Sequence, residues 1–172
     1  MSDGRPWLAM QLIDGQPITA WCDARRSSLR GRVHVFIQVL EAMSHAHGQL
    51  VLHRDLKPGN ILVDARRHVH VLDFGIAKLL QAEDQLTQET QFTSHAGRPM
   101  TLDYASPEQV RGEPLSAASD VYSLGVLLYE LLCGERPYRL VRRSAAQLEA
   151  AVLETVPPRP SSRAAEIRRA HV

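Results

Sequence analysis

The sequence predicts an α+β fold that is mainly helical, and three stretches carry the prediction. Between Leu29 and Gly48, apolar residues fall at Val33, Phe36, Ile37, Leu40 and Met43, which is helical spacing, and Gly48 suits the position just past a helix end. Ala117 to Cys133 is apolar on nearly every side and ends at Gly134, as a helix buried in a core does. Between them lie two short β-like runs, Asn60–Val63 and His68–Leu72, joined by a turn over Asp64-Ala-Arg-Arg67.

The remaining elements follow in order. Pro6 to Ile13 carries Trp7, Leu8, Met10, Leu12 and Ile13 ahead of Asp14-Gly15, which reads as a strand running into a loop. Ala20 to Arg26 fits a short helix. Residues 81–103 are rich in Gln, Thr and Glu and show no apolar face, so they predict a long loop of the kind that carries function or is disordered. Ser144 to Glu154 is amphipathic and helical, and Val156-Pro-Pro-Arg-Pro160 stops it. The last dozen residues are polar and Arg-rich, with no core to join. No internal repeat is present.

Composition narrows the function. With 172 residues the chain is sized for one domain, and 44% hydrophobic residues suffice for a packed core. Lys plus Arg is 20 and Asp plus Glu is 19, a net charge of +1 that offers no field for nucleic acid or an anionic membrane. The longest apolar stretch, Leu124 to Cys133, is broken by Glu130 and is too short to span a bilayer. Asp3, Arg5, Gln11 and Asp14 interrupt any signal-peptide core. Cys22 and Cys133 form no CxxC, so a reduced, cytoplasmic setting is expected. Of the 20 basic residues only Lys57 and Lys78 are lysine.

The chemistry concentrates in His53-Arg54-Asp55-Leu56-Lys57-Pro58-Gly59-Asn60, placed between helix and strand, and in Asp73-Phe74-Gly75, thirteen residues beyond Asn60. Phosphoryl transfer needs metal ions to neutralise the moving oxygens and a carboxylate to orient the attacking hydroxyl. Asp55 can be that base. Asn60 and Asp73 can hold Mg²⁺, which takes few protein oxygens and completes its shell with phosphates and water. Lys57 puts a point charge two residues from the base, suited to a γ-phosphate. Gly75 frees the backbone to aim Asp73. His45 and His47, two apart on a helix, point to different faces and make poor joint ligands. His68 and His70 share a strand face, where a surface turn explains them as well as a metal does. The arginines at 136, 139, 142 and 143 fit a solvated face better than a site for acidic substrates.

In order and spacing these motifs resemble the eukaryotic-type protein kinase catalytic domain, and their wording is most similar to bacterial serine/threonine kinases. Ser106-Pro107-Glu108 resembles the end of that family's activation segment, and Asp120-Val-Tyr-Ser-Leu-Gly125 the start of its central helix, where the Asp braces the catalytic loop. The resemblance implies ATP and Mg²⁺ as cofactors and a protein Ser/Thr hydroxyl as acceptor. It assigns Thr101 to link Asp55 to that hydroxyl, and Met10, Gln11 and Ile13, as gatekeeper and hinge, to the adenine. Leu62 would form the floor beneath the adenine ring, and His53 and Phe74 would stack in a spine. Arg54 implies regulation by phosphorylation at Thr87, Thr90, Thr93 or Ser94, since a guanidinium clamps phosphate bidentately.

The resemblance covers residues 6 to about 160. It implies a protein-kinase-like C-lobe, a helical lobe with short β-hairpins, incomplete at both ends: a partial domain over residues 1–160 and a truncated polar tail over 161–172. No G-x-G occurs among the ten glycines, and both lysines have other places. The family's N-terminal lobe and the arginine that pairs with Glu108 are therefore expected outside this sequence. Two function classes follow. One is a serine/threonine kinase of which this chain is a piece, with activity impaired in isolation. The other is a non-catalytic, pseudokinase-like interaction module or truncated gene product that binds a full-length kinase. An N-lobe supplied in trans is a further expected partner.

Overall fold

The computed structural model describes residues 10–74, 102–138 and 145–163. Three strands, β1 (Gly15–Pro17), β2 (Ile61–Asp64) and β3 (Val69–Val71), form one antiparallel sheet in that order. The helices are α1 (Ile18–Ala24), α2 (Leu29–Gly48), α3 (Pro107–Arg111), α4 (Ala117–Cys133) and α5 (Ala145–Glu154). The fold is α+β and mainly helical, as the sequence predicts. No helix among the described residues is long and apolar enough to cross a membrane.

The two long helices form where periodicity and capping agree. Ser28 Oγ accepts from Gly31 N at 3.2 Å to start α2. Ser116 and Ser119 form a reciprocal capping box at the start of α4, and Gly134 closes it at φ 74°, the left-handed position that glycine occupies without penalty. The buried face of α2 differs from the expected one. Val35, Phe36, Val39, Met43 and Ala46 face inward, whereas Val33, Ile37 and Leu40 are 37–45% exposed. Apolar residues on both sides of this helix leave its phase to tertiary packing. Gly48 is also its last helical residue rather than the one beyond, and the left-handed turn falls on Leu50 at φ 60°.

The first strand departs further. Residues 6–9 of the predicted Pro6–Ile13 run lie outside the described residues, and Met10–Asp14 carry no regular structure. The strand forms after the Asp14-Gly15 turn instead, where Gly15 opposes Asp64. A Cβ at Gly15 would sit 3.1 Å from both Leu62 Cβ and Val63 O, so close strand approach needs glycine here. Pro17 then caps α1, two residues earlier than predicted, and Ile18 becomes fully buried.

One core unites these parts. Ile18, Trp21 and Cys22 of α1, the inner face of α2, Ile61 and Val63 of β2, and Leu124, Leu127 and Leu131 of α4 form a single cluster. Leu56 belongs to it at 2% exposure, anchoring the His53–Asn60 loop from below. Burying one such side chain contributes about 1.5–3 kcal/mol, enough to hold a loop whose own backbone forms little regular structure. The β2–β3 turn is tied by Asp64, whose Oδ1 accepts from Arg66 N and His68 N at 2.8 and 2.9 Å. The His70 ring on Oδ2, ahead of those amides, draws the Asp64 carboxyl down to about 2. His68 and His70 both turn toward Asp64, at 3.7 and 3.0 Å.

Candidate active site

The loop between α2 and β2 is held from beneath by one carboxylate. Asp120 enters the first turn of α4 at 2% exposure, and its Oδ1 accepts from Arg54 N while its Oδ2 accepts from His53 N, both at 2.8 Å. His47, in the last turn of α2, places Nε2 2.9 Å from the same Oδ2. The sequence anticipated the bracing role of Asp120 but not the part of His47, because their contact spans 73 residues.

Above this brace the reactive side chains converge. Lys57 Nζ donates to Asp55 Oδ2 at 2.7 Å, and Asn60 Nδ2 donates to the same oxygen at 3.2 Å and to the Asp55 carbonyl at 2.8 Å. Among the described residues Oδ1 of Asp55 accepts no hydrogen bond. The Asp55 side chain is 34% exposed and reaches solvent. Asn60 is 7% exposed, and its amide orientation is set by the two bonds from Nδ2, which leaves Oδ1 as a ligand oxygen. Its backbone carbonyl accepts from Leu72 N at 2.8 Å, which ties the second motif to the first.

Asp73 follows at φ 57°, with an exposed side chain. Asp73 and Arg54 at φ 67° are two non-glycine residues in the left-handed region beside this site, a conformation that persists only where the surroundings hold it. Both ends of Leu72 are held, its N–H by Asn60 and its carbonyl by the His53 ring at 2.9 Å. The donor set of Asn60 and Asp73, two hard oxygens, fits a hard divalent cation rather than a soft metal. Phe74 packs on His53 with ring centroids 4.9 Å apart, as the expected spine requires.

The partners of His53 define its tautomer. The Leu72 carbonyl only accepts, so Nε2 carries the proton, and Nδ1 accepts from Asp55 N at 3.3 Å. Burial holds the imidazole below its ordinary 6.5, against the raising effects of the Leu72 bond and of Asp120 and Asp55. A base with a lowered folded-state pKa stabilises the fold above its unfolded value, and that contribution is lost as pH falls through the folded value. Thermal unfolding midpoints are therefore expected to drop as the pH is lowered below about 6.5, with His53→Phe flattening that part of the profile. An unchanged slope in the variant would contradict this assignment.

The segment ahead of α4 docks against the same loop. Ser123 Oγ donates to the Tyr104 carbonyl at 2.8 Å, and the Tyr104 hydroxyl donates to Glu130, with burial raising the phenol pKa most. Arg136 pairs with Asp103, so this member of the arginine group is engaged within the fold, while 139, 142 and 143 lie outside the described residues. Glu108 accepts from Ser119 Oγ at 2.6 Å, a bond that lowers its carboxyl pKa and anchors α3 to α4. Gln109 Nε2 donates to the Arg54 carbonyl at 2.7 Å, a contact that sequence reasoning missed.

The nucleotide-side residues are more dispersed. Leu62 lies on the sheet face opposite the buried Ile61 and Val63 and is partly exposed. Met10 is 67% exposed, Gln11 is exposed and Ile13 half-buried, all in chain without regular structure ahead of β1. Thr101, Gly75 and the hydroxyls at 87, 90, 93 and 94 lie outside the described residues.

A family model described as Protein kinase domain matches residues 2–166 of the chain. The serine/threonine-protein kinase pkn3 of Myxococcus xanthus is 40% identical over 171 residues, an alignment covering 96% of this chain and 30% of that protein. Serine/threonine-protein kinase Pkn1 of the same organism is 41% identical, covering 92% of this chain and 22% of that protein. Serine/threonine-protein kinase PknB of Mycobacterium tuberculosis is 34% identical, with 95% and 29% covered. The chain thus spans less than a third of the length of each of these relatives.

Proposed function

Because the chain belongs to the protein kinase family, we propose that it carries the catalytic-loop portion of an ATP-dependent protein serine/threonine kinase. One observation supports this reading above the others: Lys57 and Asn60 converge on a single oxygen of Asp55 and leave the other oxygen for a substrate hydroxyl. In this reading Asp55 Oδ1 accepts a hydrogen bond from a serine or threonine hydroxyl of a protein substrate. It orients the oxygen in line with the γ-phosphorus and takes its proton as the new O–P bond forms and the bond from the γ-phosphorus to the β–γ bridging oxygen breaks, ADP leaving with that electron pair.

Lys57 has two partners to offer, since its ammonium rests on Asp55 and has further protons for a γ-phosphate oxygen. Asn60 Oδ1 and the Asp73 carboxylate would hold Mg²⁺, which when bound neutralises the phosphate oxygens. Thr101 would bridge Asp55 and the acceptor hydroxyl. Backbone groups of Gln11 to Ile13 would meet the adenine edge, Met10 would stand beside it as gatekeeper, and Leu62 would lie against its face. Those would be neutral hydrogen bonds of about 0.5–1.5 kcal/mol each, which orient the base more than they hold it. Arg54 completes the reading: its guanidinium is suited to clamp a phosphate on Thr87, Thr90, Thr93 or Ser94.

The test is transfer of label from [γ-³²P]ATP with Mg²⁺ to a generic serine- and threonine-containing protein. Label on substrate hydroxyls supports the reading. A folded chain that transfers none, even when supplied with the remaining domain of a relative, contradicts it.

A further inference from the structure

We infer that Gln109 is a positioning residue for Asp55, acting through the strained backbone of Arg54. Arg54 sits at φ 67°, a left-handed conformation that a residue with a Cβ adopts only when its surroundings hold it there, and it directly precedes Asp55. Its backbone is gripped at both ends by side chains from other elements. Asp120 of α4 takes its N–H at 2.8 Å, and Gln109 of α3 donates to its carbonyl at 2.7 Å. The peptide that Gln109 fixes is the Arg54–Asp55 peptide itself, so this bond sets the plane from which the Asp55 side chain departs.

The amide of Gln109 serves two elements at once. Its Oε1 accepts from Ser106 N at 3.0 Å while Ser106 Oγ accepts from Gln109 N at 3.3 Å, which closes the capping box of α3. Ser106 is fully buried and Glu108 is anchored to Ser119, so α3 is a fixed point from which Nε2 reaches the loop. A glutamate here could cap the helix and a lysine could reach the carbonyl. The side-chain amide does both, with an acceptor for Ser106 and a donor for Arg54. The docked end of the 102–111 segment is thereby coupled to the geometry of the candidate base. The role rests on the kinase reading of Asp55, but the bond and its consequence do not.

Gln109→Glu isolates the bond, because Oε1 still accepts from Ser106 N while a carboxylate oxygen now faces the Arg54 carbonyl. Amide hydrogen exchange read by NMR on the full chain is expected to accelerate about tenfold at Arg54 and Asp55, with the amides of α2, α4 and the Ser106 cap unmoved. In an Arg54→Gly background the same substitution should change exchange less than about threefold, since glycine holds a positive φ without penalty. Where phosphotransfer is measurable, kcat should fall and KM for ATP stay level. Unchanged exchange at Arg54 and Asp55, or equal acceleration throughout α2 and α4, overturns the proposal. Absence of phosphotransfer in the unsubstituted chain would count against the kinase reading alone and leave the exchange result to decide this one.

Discussion

Asp55→Asn is expected to lower phosphoryl transfer about 10²–10⁴-fold, the range a positioned general base contributes, while leaving nucleotide binding and the fold nearly unchanged. The asparagine keeps the size of the side chain and still offers one oxygen to Lys57 and Asn60, so the packing around Leu56 and the Asp120 brace is undisturbed. It cannot take a proton. The Lys57–Asp55 pair is about one-third exposed on both sides, so losing its charge attraction costs at most about 1 kcal/mol. Steady-state transfer and urea unfolding on the same preparations separate the two effects. A variant that retains transfer within threefold would remove Asp55 from the role given to it.

Asp120→Ala should act on the fold itself. The carboxylate is buried and accepts from two backbone amides while lying against the His47 ring. Truncation strands these donors in a site without solvent, and a loss of about 3–5 kcal/mol is expected. That is a large share of the ~5–15 kcal/mol that a domain typically has. Asp120→Asn keeps one acceptor oxygen and should lose less. Urea midpoints with an unchanged slope measure the difference. A loss below about 1 kcal/mol would mean that the loop finds other acceptors and that the brace is redundant.

The helices over Leu29–Gly48 and Ala117–Cys133 were legible because helical apolar spacing in the first, a run apolar on nearly every side in the second, and a glycine at the end of each pointed to them. The buried face of α2 was not, since Val33, Ile37 and Leu40 on one side and Val35 and Val39 on the other are equally apolar. Only packing against α4 and the sheet decides between them. Met10–Ile13 of the early predicted strand carry no regular structure, because apolar content there carries no information about a pairing partner, whereas Gly15 is required by close approach to β2. In the candidate site, Asp55, Lys57 and Asn60 lie within six residues and could be read together. His47 and Gln109 could not. Their contacts cross 73 and 55 residues of sequence, and neither residue stands out from its neighbours in composition or period.

In the proposed reading Asn60 and Asp73 form, with Asp55, a centre for metal-bound ATP. Calorimetric titration of the chain with ATP, with and without Mg²⁺ and in parallel on Asp73→Asn, tests it most directly. Binding that requires Mg²⁺ and is lost in Asp73→Asn is the predicted result. Binding that is indifferent to both the metal and the substitution, or none at all to a chain shown to be folded, would mean that Asn60 and Asp73 do not hold metal-bound nucleotide.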